Sequence, residues 1–141
     1  MGTWGAGIYQ SDSTLDYVEG IIKYNVNVIR DIMRWDNTLL HPGMTHSELV
    51  MCHIDILNAI CSREGLNFTL PETKEIKKWK EKYLEVWEYR IDEIDPTDDY
   101  KTERYKVLKK SFNTLISLTK KRDRTLAKNN RQLLKDESAK Q

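Results

Sequence analysis

The chain has few of the residues that break or cross-link a backbone. Its 141 residues include three prolines, six glycines and two cysteines. Pro42, Pro71 and Pro96 lie far apart, so each marks a break between longer elements. Cys52 and Cys61 fall nine residues apart on one predicted helix. At ~1.5 Å of rise per residue that is ~13 Å, beyond the reach of a disulfide. Two reduced thiols fit a cytoplasmic protein, which is the expected location. No run approaches the ~18 apolar residues of a membrane span, so no membrane partner is expected. No basic segment followed by an apolar run opens the chain, so no secretory signal is expected. No repeat of fixed period occurs.

What is present is the material of one domain with a real core. Hydrophobic residues make up 39% and charged residues 32%, the balance of a globular protein with a solvated surface. The net charge of +1 conceals an asymmetry. Residues 1–100 carry −8 and residues 101–141 carry +9. An acidic body followed by a basic tail is the main electrostatic fact.

Apolar spacing predicts four helices. In the first, Thr14 to about Trp35, Leu15, Val18, Ile22, Val26, Ile29 and Met33 step by three or four. Thr45-His46-Ser47-Glu48 has the form of a capping box and opens the second, which runs to about Glu64 with Gly65 as its C-terminal cap. Its wide apolar stripe predicts burial between other helices. Leu66 to Leu70 is a connection in which Phe68 should turn inward. Pro71 fits the first turn of the third helix, which runs to about Ile94 with Ile76, Trp79, Tyr83, Trp87, Ile91 and Ile94 on one face. The fourth begins near Asp98, with Tyr105, Leu108, Phe112, Leu115 and Thr119 in register. After Lys120 its apolar content thins, leaving either a helix with a weak seam or a solvated tail. The expected architecture is an all-α, single-domain bundle of about four helices, preceded by a Gly/Trp-rich N-terminal loop. Residues 1–122 form the helical domain, and 123–141 a basic C-terminal extension or tail.

The N-terminal stretch is unlike the rest. Gly2, Gly5 and Gly7 surround Trp4, which predicts a tight turn that folds the indole back onto the domain as a plug. Ser11, Asp12 and Ser13 can cap the first helix. Trp4-Gly5-Ala6-Gly7-Ile8-Tyr9, then Ser11-Asp12 and Asp16-Tyr17, resembles the opening signature of a bacterial family catalogued as domain of unknown function 4259. Its members typically begin Trp-Gly-x-Gly, then an aromatic, Asn-Asp, and Asp-Trp on the first helix. Here Ser11 replaces the Asn and Tyr17 the Trp. The match covers about seventeen residues, with a similar helical layout after it. No activity comes with the resemblance. Some members lie beside polymorphic toxin genes, so it implies an immunity role, with a cognate toxin as partner.

The glycines do not make a phosphate loop, because no Lys-Ser/Thr follows Gly7 and no strand precedes it. Asp12 and Asp16 lie four apart, but capping and the helix dipole account for both. Together with Trp4, Gly5 and Gly7 they form a structural motif. His46, Cys52 and His53 lack the i, i+4 histidine pair and third ligand of a zinc site. Cys52 beside His53 cannot be a nucleophile–base pair, since helical neighbours diverge by ~100°. A partly buried His and a core Cys is the expected arrangement. No catalytic, cofactor or metal site is expected, and the chain is read as a non-enzymatic binding protein. Tyr89, Tyr100 and Tyr105 are candidates to face a partner.

Two charged surfaces remain. Asp31, Asp36, Asp92, Glu93, Asp95, Asp98 and Asp99 form an acidic set suited to a basic toxin cleft. Lys120, Lys121, Arg122, Arg124, Lys128 and Arg131 form a basic set. The primary expectation is an immunity protein or antitoxin that neutralises a toxin by contact. The alternative is a nucleic-acid-associated protein acting through the basic C-terminal segment.

Overall fold

Each apolar stripe folds as a helix. The computed structural model describes residues 2–140. Four α-helices carry the chain: α1 Asp12–Arg34, α2 Thr45–Cys61, α3 Thr73–Arg90 and α4 Asp98–Ala139. Single 3-10 turns, Asn37–Leu40 and Ile91–Ile94, follow α1 and α3. Among the described residues the only β-pairing is an isolated bridge between Thr3 and Ser11. This is the all-α bundle that the spacing predicts.

Side-chain links give the order and direction of the helices. His53 on α2 reaches Asn25 on α1. Arg104 and the Ser111 carbonyl on α4 meet Glu48 and Asn58 on α2, so those two helices run parallel. Thr73 meets Thr119, Lys80 meets Asn113 and Asp92 meets Lys101, so α3 and α4 run antiparallel. Arg30 makes a two-pronged pair with Glu75, closing α1 on α3. The ring is therefore α1–α2–α4–α3, with α2 between α1 and α4. Direction alternates along the chain, but the ring sets α2 beside the parallel α4 and α1 beside the parallel α3, so it is not a simple up-down bundle of consecutive neighbours.

The core is continuous. Ile22, Ile29, Ile54, Leu57, Ile76, Leu108, Phe112 and Leu115 are fully enclosed. Each such side chain is worth roughly 1.5–3 kcal/mol when buried. Tyr83 is enclosed too, and its hydroxyl donates to the Ser47 carbonyl at 3.1 Å and shares a hydrogen bond with the Ser47 hydroxyl. Burial pushes the Tyr83 phenol up to about 12.

Several local expectations are corrected. Thr45 is already helical, Met44 precedes it as the N-cap without a side-chain bond, and Glu48 reaches across to Arg104 instead of back to its own amides. Inter-helix pairing with an arginine displaces the capping box. α2 ends at Cys61, and Gly65, with φ +82°, turns the chain four residues later. Pro71 is buried just before α3, whose N-cap is Glu72. Phe68 is 44% exposed, while Leu66 and Leu70 on either side turn inward. Ile94 is exposed as well, because the chain has left the α-helical register by then.

α4 is an unbroken helix of 42 residues, about 63 Å long. Its last buried residue is Arg122, and every described residue after it is exposed. The helix passes beyond the end of the bundle with no neighbour.

Candidate functional site

The N-terminal motif is a tight hairpin built on the start of α1. The Trp4 amide donates to the Gln10 carbonyl at 2.9 Å, and the Asp12 amide donates to Gly2. The Gln10 side chain accepts from the Gly7 amide at 2.9 Å. The Thr14 hydroxyl donates to the Ile8 carbonyl at 2.7 Å. Ser11, not Asp12, is the N-cap of α1. The glycines serve close approach: a Cβ on Gly5 or Gly7 would meet the Gln10 side chain, and one on Gly2 the Asp12 side chain. Trp4 does not plug the core. The residue is 55% exposed, because its hairpin pairs back on the start of α1 and holds it at the surface. Asp12 and Asp16 are both exposed on the first turns of α1. Among the described residues no group of three or more His, Cys, Asp or Glu side chains could hold a metal ion.

His53 is partly buried, as expected, beside the buried Asn25. Burial lowers its pKa, and its ring meets the Asn25 carboxamide oxygen, which needs a proton on Nδ1. Cys52 is the exposed thiol and Cys61 the buried one, so the core cysteine is the other of the pair. Cys52 falls one residue outside the inward set Met51, Ile54, Leu57 and Cys61. Burial pushes the Cys61 thiol up to about 12. Ellman's reagent should therefore titrate one thiol per native chain and two in denaturant; two fast-reacting thiols in the native protein would contradict this burial.

The acidic set gathers at one end of the bundle, where α1 and α3 finish and α4 begins. Four of the seven carboxylates are engaged by their own chain. Asp31 lies 3.6 Å from Arg34. Asp36 caps the turn after α1, and the hydroxyl and amide of Thr38 hold it below the usual carboxylate range. Asp92 binds Lys101 at 2.7 Å. Glu93 meets His41 and Arg90, and the two hydrogen bonds, that to His41 first, lower its pKa. Asp95, Asp98 and Asp99 remain, with no pairing cation among the described residues. Asp95 adopts a left-handed turn at φ 52°, which short polar side chains tolerate. Thr97 caps α4 by accepting from the Tyr100 amide at 3.2 Å, which fixes Asp98 and Asp99 on its first turn. The interleaved cations Arg34, Arg90 and Lys101 were not legible in the list of acids, because they come from other positions on the helices.

The basic set splits. Lys120, Lys121, Arg124, Lys128 and Arg131 are exposed. Arg122 is 6% exposed and is no surface residue. Its guanidinium donates to the Leu70 carbonyl and to Asp123 at 3.0 Å. Charge alone groups it with its neighbours, whereas the helical register turns it inward. The structure also reveals a longer feature. At ~100° per residue, Lys106, Lys109, Lys110, Lys120, Arg124, Lys128, Arg131 and Lys135 fall within one ~100° arc of α4. All eight are exposed, and among the described residues only Lys106 has a carboxylate nearby, Glu103 at 3.7 Å.

Of the tyrosines, Tyr89 and Tyr100 are exposed, whereas Tyr105 packs on Trp87 with ring centroids 5.7 Å apart. Among the described residues no helix is long and apolar enough to cross a membrane. The chain matches no family model, no curated protein and no solved structure.

Proposed function

We propose that the chain acts by binding another protein in the cytoplasm, by contact and not by chemistry, as the immunity protein of a bacterial toxin. The observation that carries this reading is the Asp95–Asp99 turn, where three carboxylates with no salt bridge among the described residues stand on a capped helix start. Such a surface complements a basic cleft and steers association. The resemblance of Trp4–Tyr17 to a family found beside toxin genes points the same way. The test is a tagged pull-down from the source bacterium, followed by co-expression of the captured protein with this chain. Support requires a partner that is toxic alone and harmless in company. The triple variant Asp95→Asn, Asp98→Asn, Asp99→Asn should bind it at least about tenfold more weakly. A toxic partner bound equally well by the variant would move the interface elsewhere. Absence of any toxic partner would end the immunity reading.

The basic face of α4 favours a second reading, contact with a nucleic-acid backbone. Eight aligned cations extend over roughly 44 Å of helix. Such binding should weaken steeply with salt and fall sharply when residues 120–141, which carry five of the eight cations, are removed. Salt-insensitive binding would reject it.

A further inference from the structure

At the opposite end of the bundle from Asp95, the N-terminal hairpin and the turn after α2 enclose an open cleft of about 660 Å³. Trp4, Tyr9 and Phe68 line it, together with the buried Leu66 and two carboxylates, Glu19 and Glu64. Neither carboxylate has a cationic partner among the described residues. Trp4 presents its ring from a hydrogen-bonded backbone, so the exposed indole sits on an ordered support. The exposed Trp4 and Phe68 and the half-buried Tyr9, beside acids without a cationic partner, suit one kind of occupant. An anion would be repelled, and a purely apolar group would draw no attraction from the two carboxylates. A cation stacks on aromatic faces, and a guanidinium does so with its flat side while its edges donate to carboxylates.

We propose that this cleft holds an arginine side chain of the binding partner. The proposal rests on the reading that the chain binds another protein, and adds a second contact about a bundle's length from the acidic turn. The test uses the full chain, labelled with nitrogen-15, and the indole N–H signal of Trp4, assigned with Trp4→Leu. N-acetyl-Gly-Arg-Gly-amide should move that signal saturably. The lysine tripeptide should bind roughly threefold more weakly and the alanine tripeptide not at all. Glu19→Gln/Glu64→Gln, both surface changes, should weaken the arginine peptide about fivefold. A Trp4 signal that does not move, that responds equally to alanine, or that responds equally in the double variant would overturn the assignment. So would shifts confined to the Asp95–Asp99 turn. If the protein-binding reading alone is wrong, the peptide still binds the cleft while no toxic partner is found. If the cleft assignment alone is wrong, a partner is captured and the peptide leaves Trp4 unmoved.

Discussion

Replacing Phe112 by alanine is expected to cost about 3–5 kcal/mol of folding stability. The residue is fully enclosed on α4 and tilts against Tyr83 of α3, with centroids 5.6 Å apart. Tyr83 in turn bonds to Ser47 of α2. Phe112 therefore sits where three helices meet, and its loss opens a cavity that none of them can close alone. The ring pair adds roughly 0.5–1.5 kcal/mol beyond area. A domain of this kind has only about 5–15 kcal/mol in total. In urea the variant should show a much lower midpoint with an unchanged slope. Phe112→Leu keeps most of the volume and should lose clearly less. An alanine variant within about 1 kcal/mol of the native chain would show that the interior collapses there without strain.

The second large effect separates two arginines that look alike in sequence. Arg122→Met is expected to cost about 2–3 kcal/mol, because it leaves the buried Leu70 carbonyl without its charged donor. It also removes the partner of Asp123, which holds Thr73 at the start of α3 at 3.1 Å. Arg124→Met, two residues on, touches nothing buried and should stay within about 0.5 kcal/mol. Parallel urea melts of the two variants decide it. Equal stabilities would mean that Arg122 contributes nothing specific. The same pair bears on the nucleic-acid reading, since Arg124 lies on the outer cationic face and Arg122 does not. Loss of salt-dependent binding should follow Arg124, and loss of stability should follow Arg122.

Periodicity was enough for the helices because burial of one face is written into the spacing itself. Val18, Ile22, Val26 and Ile29 on α1, and Ile76, Trp79, Tyr83 and Trp87 on α3, are the residues that the spacing selects, and all are buried. The acidic end was legible only as a collection of charges. Which of them pair depends on cations brought in from elsewhere, as Lys101 is to Asp92 and His41 to Glu93.

What the sequence alone determined was the number of the helices and the face each one buries. What only the tertiary structure decided was where those faces find a neighbour. Leu126 and Leu133 continue the core face of α4 in register with Leu108 and Leu115, yet both are exposed. The reason is that α3 begins at Thr73, opposite Thr119, so no helix stands alongside α4 beyond Arg122. Tertiary contacts likewise left Trp4 outward, on a hairpin bonded to the start of α1, and turned Arg122 inward, where the end of the 62–72 turn offers it a carbonyl.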